Sequence, residues 1–239
     1  MLKQLNPLEI DKIVLYDDVS HSYGLRTFPG KQFKSVTAIA ATRMPPFDKT
    51  VISAKLAASS KGKYAGKSAQ EIRKLWADLA SLGTALHANI EAYYNGGAMP
   101  DHLGFRRAAA VLKDVLLLRP YRTELQMAAA NGVAGTADMI FTTLGKLPQD
   151  GITIVDWKRT DEAPVDCRYD KCRRELQHLP AGKFWKFALQ VNLYAHLLWD
   201  TCRLPTIRML LVLLHPNGSG YDILNVPLMP EARTIYCTC

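Results

Sequence analysis

Residues 152–158, Ile-Thr-Ile-Val-Asp-Trp-Lys, decide the fold because they combine a strand interior with two charged side chains. The first four residues are all β-branched, which predicts an interior strand. Asp156 and Lys158 stand two positions apart, so a strand places both side chains on one face. Burying either charge without a partner is expensive. The stretch therefore indicates a functional site, a solvated strand end or a simple ion pair.

A second carboxylate, Asp138, lies among apolar residues in the strand-like sequence Gly135-Thr-Ala-Asp138-Met-Ile-Phe141. Two adjacent antiparallel strands joined by the intervening loop can bring Asp138 close to Asp156. Like charges at short range raise each other's pKa unless a cation neutralises them, so paired carboxylates beside a lysine predict a divalent metal ion. The alternative is that Asp138 faces solvent from a strand edge.

The rest of the chain predicts a mixed α/β fold in the order helix, three strands, helix, strand, strand, with helices in front. Ser68 and Glu71 have the spacing of a capping box, which begins one of these helices. Residues 13–28 predict a β-hairpin, and residues 161–182 predict a basic loop or insertion. The predicted helices are 35–43, 48–60, 68–94, 102–118 and 184–199, and the predicted strands are 121–129, 133–141, 152–157, 207–214 and 221–226.

The composition is that of a folded, basic protein. The 239 residues include 30 Lys and Arg against 22 Asp and Glu, and 48% are hydrophobic, which excludes a disordered or low-complexity chain. The net charge of +8 favours polyanionic partners. The longest apolar run, Met209–Leu214, is far shorter than the roughly 20 residues that cross a bilayer. No secretory signal is visible, so we expect a soluble, intracellular protein with no membrane partner. The sequence does not indicate which cell compartment it occupies.

The five cysteines all lie in the last third and include no C-x-x-C pair, so we expect free thiols. Two helices carry polar pairs four residues apart, hence on one helix face. His87 and Glu91 form one pair, and Gln190 and Tyr194 form the other. An amide and a phenol suit phosphate contacts, although ordinary helix packing would account for either pair alone.

Taken in series, four motifs resemble one family. They are G-T-x-x-H at 83–87, G-x-x-D at 135–138, D-x-K at 156–158 and Q-x-x-x-Y at 190–194. Their order and separations resemble the RecB-like exonuclease branch of the PD-(D/E)XK nuclease superfamily. The front end is similar to phage and mitochondrial genome maintenance exonucleases in its hairpin, Ser35-Val-Thr37, Pro46-Phe-Asp48 and Trp76. One departure is Asp156, which stands where many relatives have Glu and reaches one methylene less far.

The resemblance implies a single nuclease domain over 1–239, with a hairpin and accessory helices at 1–67 and the PD-(D/E)XK core at 68–239. That core would be a restriction-endonuclease-like αβββαβ arrangement around a mixed central sheet. The resemblance makes Asp138, Asp156 and Lys158 the catalytic residues. It assigns one or two Mg²⁺ or Mn²⁺ ions to His87, Asp138, Asp156 and the Trp157 backbone carbonyl.

Further roles follow from the same resemblance. Lys158 would orient or deprotonate the attacking water and stabilise charge on the phosphate. Glu124 and Glu91 are further acidic candidates, either as metal ligands or in supporting salt bridges. Substrate contacts fall to Thr84, Gln190 and Tyr194. Because imidazole suits Mn²⁺ better than an all-oxygen site would, we expect activity with Mn²⁺ at least equal to that with Mg²⁺.

Two more expectations concern cofactor and substrate. Some relatives hold an iron–sulfur cluster with one cysteine ahead of the core, but here no cysteine precedes Cys167, so we expect no cluster. The basic loop and the start of the next helix could line a groove for a single strand, with Arg173 and Arg174 on phosphates, or could be a solvated face. The other residues of this hypothesis are Arg168, Lys171, Lys183, Lys186, Tyr169, Phe184 and Trp185.

The sequence thus predicts a divalent-metal-dependent DNA exonuclease that acts on single strands or DNA ends in replication, recombination or repair. A structure-specific or flap endonuclease is the alternative within the same chemistry. A catalytically silent nucleic-acid-binding module with the same fold is the alternative from another class. Intact Asp138, Asp156 and Lys158 favour an enzyme, because a binding module has no need of a costly carboxylate cluster beside a lysine.

Overall fold

The computed structural model describes residues 1–160, 163 and 170–239. Cys167, Arg168 and Tyr169 lie outside these described residues, and the other four cysteines are free thiols. The α-helices are α1 (Leu2–Leu5), α2 (Ile10–Ile13), α3 (Val36–Ala41), α4 (Lys49–Ala57), α5 (Ala69–Tyr94), α6 (Leu103–Ala110), α7 (Lys183–Cys202) and α8 (Pro230–Cys237). The strands are β1 (Val14–Asp17), β2 (Ser22–Leu25), β3 (Lys34–Ser35), β4 (Leu118–Ala128), β5 (Val133–Thr143), β6 (Ile152–Arg159), β7 (Thr206–Leu214) and β8 (Tyr221–Asn225).

Six strands form one mixed sheet, which confirms the predicted mixed α/β class. The main path runs β4–β5–β6–β7–β8, and the short β3 pairs in parallel with the first residues of β5. The pairs β4–β5, β5–β6 and β7–β8 are antiparallel, whereas β6 and β7 run in parallel. Strands β1 and β2 form the separate N-terminal hairpin that the sequence predicts.

Helices cover both faces of the sheet, because the strands carry apolar residues on both faces. On one face, Ile154 of β6 belongs to a core cluster that includes Leu189 and Leu193 of α7. On the other face, Trp157 of β6 packs in a second cluster with Phe105 of α6. Residues of β6 that alternate along the strand therefore enter two different cores. Among the described residues, no helix combines the length and apolar character needed to cross a bilayer.

Most predicted elements are observed, including the capping box at Ser68 and Glu71 that begins α5. The helix predicted over 102–118 is wrong at its end. Helical structure stops at Val115 after a π-helical turn, and β4 begins at Leu118. Pro120 lies inside β4, next to a shift in strand register before Arg122. A proline is tolerated there because bulges and edge strands do not need every ladder hydrogen bond.

A buried ion pair anchors the N-terminal segment to the sheet. Arg122 of β4 is 2% exposed, and its guanidinium donates hydrogen bonds of 2.9 and 2.7 Å to the two carboxylate oxygens of Asp11. The same side chain donates to the Asn6 carbonyl at 3.0 Å. This pair fixes α1 and α2 beside the edge strand β4.

We expect Asp11→Ala to lower the free energy of unfolding by about 3–5 kcal/mol, because it leaves a buried guanidinium without its counter-ion. Urea unfolding followed by circular dichroism measures the change. Glu9→Ala is the matched control, since Glu9 is exposed and pairs with exposed Lys12, and it should change the value by less than about 0.5 kcal/mol. Equal effects of the two substitutions would contradict the anchoring role of the pair.

Candidate functional site

Three carboxylates stand in a row across adjacent strands β4, β5 and β6. The pairs Thr123–Met139 and Leu125–Ala137 flank Glu124 and Asp138, which therefore face each other across β4 and β5. Between β5 and β6, Ile140 pairs with Ile154 and Met139 pairs with Val155. The next position in this register places Asp138 opposite Asp156. The predicted approach of Asp138 and Asp156 thus follows from the pairing of β5 with β6.

Glu124 has an unusual backbone and an unusual charge environment. Its φ is 41°, in the left-handed region that side-chain-bearing residues rarely adopt within a strand. Such strain persists only where the surrounding structure over-determines it, and it clusters at functional sites. Burial, together with the negative charges of Asp138 and Glu91, raises the pKa of Glu124 to about 8. This carboxylate therefore lacks a positive charge that would fully compensate it.

His87 faces this row from helix α5. Its Nδ1 lies 3.5 Å from the Asp138 Oδ2 atom. One ligand atom each from His87, Glu124 and Asp138 lie within 4.8 Å of one another, close enough to share one metal ion. Glu91 follows one turn later on α5, and burial raises the pKa of its carboxyl. The predicted helix-borne residues and the strand carboxylates therefore meet in space.

Beside this group, the buried Asp156 forms an ion pair with the partly buried Lys158. Lys158 Nζ lies 2.6 Å from Asp156 Oδ2, and Gln190 Nε2 donates to Asp156 Oδ1 at 3.2 Å. Asp156 is 1% exposed, and this burial raises its pKa to about 6 although the Lys158 ammonium opposes the shift. For Lys158, burial is outweighed by Asp156 and Asp138, which raise its pKa. The ammonium also lies 5.0 Å from the centre of the Phe187 ring.

The backbone of Trp157 connects the two strands at the site. Its N–H donates to Asp138 Oδ2 at 3.0 Å, which orients that carboxylate. Its indole points to the opposite face of the sheet, where it packs against Phe105 at a ring-centre distance of 5.4 Å. The predicted ligand role of the Trp157 carbonyl stays a prediction, as does the predicted direct ligand role of Asp156.

Helix α7 supplies the remaining polar groups. Gln190 Nε2 also donates to the Tyr194 hydroxyl at 3.3 Å, so the amide links the phenol to Asp156. A side chain at Gly135 would begin 2.7 Å from the Tyr194 ring. The glycine three positions before Asp138 is therefore required by the close approach of Tyr194 to β5.

These side chains surround one cleft with a volume of about 1010 Å³. Its walls include almost all the predicted site residues, namely Thr84, His87, Glu91, Glu124, Asp138, Trp157, Lys158, Gln190 and Tyr194. Lys3 and Arg122 line the same cleft, and the sequence reasoning missed both. Arg122 could have been found because it is a charged residue among the apolar residues of β4. Nothing in the sequence distinguishes Lys3.

None of the described residues of the predicted basic groove lines this cleft. Arg173 and Arg174 are exposed but are not among the described residues that line the cleft. Their role in substrate binding stays a prediction. Phe184 is buried in the core and packs edge-on against Trp185, so the predicted stacking of its ring on a base is wrong.

Comparisons with known proteins add little to the geometry. No protein-family model and no curated protein matches the chain. Solved structures that match include "Crystal structure of SSO0001", with 14% sequence identity over 87% of this chain and 74% of that chain and a TM-score of 0.38.

We expect Mn²⁺ to stabilise the protein against heat, because it would bind the folded carboxylates and imidazole and not the unfolded chain. At a free concentration about 100-fold above Kd, the midpoint Tm should rise by about 5–10 °C. Asp138→Asn should abolish the rise while preserving the side-chain shape. Differential scanning fluorimetry with and without EDTA measures both.

The control is Asp78→Asn, since Asp78 lies on α5 but is exposed and paired with Lys74. It should keep the full Mn²⁺-dependent rise in Tm. A rise of similar size in Asp138→Asn would place the metal elsewhere.

Proposed function

We propose that this protein is a divalent-metal-dependent nuclease that hydrolyses DNA phosphodiester bonds, acting as an exonuclease on single strands or DNA ends. The observation that carries the proposal is the meeting of His87, Glu124 and Asp138 beside the Asp156–Lys158 ion pair. Hydrolysis of a phosphodiester requires stabilisation of negative charge and an activated water, and this group of residues is suited to both.

The donor set fits a divalent cation. One imidazole and two carboxylates are the ligand types that Mn²⁺ and Mg²⁺ sites use, with the imidazole favouring Mn²⁺. Glu124 is a partly buried carboxylate whose raised pKa reflects uncompensated negative charge. A bound cation would remove that repulsion. When bound, the ion would polarise the phosphodiester and lower the pKa of a coordinated water.

Side chains of the protein would supply the remaining catalytic and binding groups. Lys158, held by Asp156, presents an ammonium to the cleft, where it can orient water and stabilise charge that develops on the phosphate. Asp156 fixes that ammonium within 2.6 Å, and Gln190 fixes Asp156 in turn. Tyr194 and Thr84 line the same cleft and offer hydroxyl groups to phosphate oxygens.

The arrangement favours an enzyme over a silent binding module. A binding surface for DNA needs exposed cations, because the backbone phosphates dominate affinity. Here the cleft is instead lined by carboxylates that include Glu91, Glu124 and Asp138, which repel phosphate unless a cation intervenes. Retaining them is costly unless they serve metal-dependent chemistry.

We expect Lys158→Ala to reduce DNA cleavage by about 10²–10³-fold, because removing one group that stabilises transition-state charge typically has an effect of this size. The substrates are single- and double-stranded DNA labelled at the 5′ or 3′ end, with Mn²⁺, Mg²⁺ or EDTA. Lys146→Ala is the control, since Lys146 is an exposed lysine in the turn after β5, and it should cleave at the wild-type rate.

Circular single-stranded DNA separates exonuclease from endonuclease, since only an endonuclease cuts a molecule without ends. An exonuclease leaves the circle intact and shortens the linear strand from one labelled end. Cleavage of the circle would support the flap or structure-specific endonuclease instead. Tight binding of DNA with no metal-dependent cleavage would support the silent module and contradict the proposal.

A further inference from the structure

The helical hairpin of α4 and α5 carries an aromatic cluster on the surface. Phe47, just before α4, is 61% exposed, and its ring centre lies 5.6 Å from that of Trp76 on α5. Tyr64, in the connection between the two helices, packs edge-on against Trp76 at 6.2 Å. The Trp76 Nε1–H donates to the Tyr64 hydroxyl at 2.9 Å, which fixes both rings.

The same part of the chain is strongly basic. Residues 48–74 contain seven Lys and Arg residues and only two carboxylates. Both carboxylates are used in capping, Asp48 at the start of α4 and Glu71 at the start of α5. Lys61 and Lys63 are exposed in the connection, and Lys63 Nζ lies 6.0 Å from the centre of the Tyr64 ring. Much of the excess positive charge of the protein is therefore concentrated around the exposed Phe47 and the partly exposed Tyr64 and Trp76.

Helix α5 connects this cluster to the candidate metal site. Trp76 and Ala80 stand four residues apart, so they share the helix face that continues through Gly83 to His87. Ala80, Gly83 and His87 line the cleft, and a side chain added at Gly83 would meet no atom within 4 Å. The face between Trp76 and His87 is therefore low and open, as a surface that guides an extended chain must be.

We propose that Phe47, Tyr64 and Trp76 with Lys61 and Lys63, named here the α4–α5 surface, bind single-stranded DNA and guide it along α5 to the cleft. The proposal rests on the nuclease function proposed above and specifies how its substrate enters. Exposed rings stack on unpaired bases, and nearby lysines follow the phosphates. Base pairs in a duplex shield the base faces, so stacking selects single strands.

The geometry sets the length of the bound strand. Eleven residues separate Trp76 from His87, which corresponds to about 16 Å along the helix axis. At about 3.4 Å per stacked nucleotide, this distance spans about five nucleotides. Oligothymidylates shorter than about five nucleotides should therefore lose contact with one end of the track, and affinity should rise steeply between dT3 and dT8.

The first test compares the affinities of aromatic variants for fluorescein-labelled dT12 in EDTA, where cleavage is blocked, by fluorescence anisotropy. Phe47→Ala should weaken binding about tenfold, within the range known for loss of one stacked base. Trp199→Ala is the matched control, because this ring is 53% exposed near the end of α7 and does not line the cleft. Its affinity should equal that of the wild type.

A duplex of the same length tests whether stacking is involved. Phe47→Ala should leave the affinity for the duplex unchanged, because paired bases offer no free face. Equal loss of affinity for the single strand and the duplex would overturn the proposal. A second result would also overturn it, namely that the wild type binds dT12 and polyglutamate equally and that Phe47→Ala has no effect. That result would indicate a surface for acidic proteins.

The second test measures the salt dependence of dT12 binding. Lys61→Ala/Lys63→Ala should reduce the slope of log Kd against log salt by about 1.4, because each lost phosphate contact contributes about 0.7 on a single strand. Lys12→Ala/Lys146→Ala, with two exposed lysines elsewhere, should keep the wild-type slope. A reduced slope in Arg173→Ala/Arg174→Ala but not in Lys61→Ala/Lys63→Ala would place the strand on the loop before α7 and overturn the proposal.

Binding in EDTA and cleavage with Mn²⁺ are separate readouts, so the two proposals can fail separately. Metal-dependent cleavage with no effect of Phe47 or of the lysines on binding would overturn the α4–α5 surface alone. The opposite result is that Phe47→Ala weakens binding while the wild-type protein cleaves no DNA. That result would support the α4–α5 surface and contradict the nuclease function.

Discussion

Like charges brought together inside a protein repel, and the sheet holds three of them in a row on β4, β5 and β6. Glu124, Asp138 and Asp156 face one another because the antiparallel register of these strands allows no other arrangement. The apolar clusters on the two faces of the sheet must therefore stabilise the register against this repulsion. Nearby donors reduce the cost, since Lys158 pairs with Asp156 and the Trp157 N–H donates to Asp138. These donors do not compensate the negative charge of Glu124, whose pKa is raised. The metal hypothesis depends on this uncompensated charge.

Residues around the three carboxylates hold them in position. Gly135 lets Tyr194 approach the strand, and Tyr194 in turn meets the amide that orients Asp156. On the other side, Arg122 is bound by Asp11, so the N-terminal segment closes that end of the cleft. A cation fixed by its own counter-ion contributes little net charge to the cleft. The proposed polyanionic substrate would therefore have to be attracted by other cations.

The sequence predicted the central strands well because their signals are local. Four β-branched residues before Asp156, and a glycine at a fixed distance before Asp138, indicate strands and a close approach without any knowledge of the partner. Glu124 was predicted only as a further acidic candidate. Its place beside His87 and Asp138 depends on strand register and on a left-handed backbone that no sequence pattern indicates. Helices α1 and α2 were also missed, because four residues are too short to show a hydrophobic period. Phe184 was misplaced because charge around an aromatic residue does not reveal which way its ring points.

Helix α5 connects these features. A single helix of 26 residues begins in the basic aromatic region, passes the small residues Ala80 and Gly83, and carries His87 and Glu91 at the carboxylates. Because hydrogen bonds along one continuous helix fix the positions of all these residues together, the distance from the aromatic rings to the candidate metal site varies little. A flexible loop would allow a strand to reach the site along many paths, whereas a rigid helix face permits few. The charge pattern has the same direction, since cations lie at the start of the track and carboxylates at its end. A polyanion would therefore be attracted at the entrance of the proposed track, and it could approach the far end only where a cation neutralises the carboxylates.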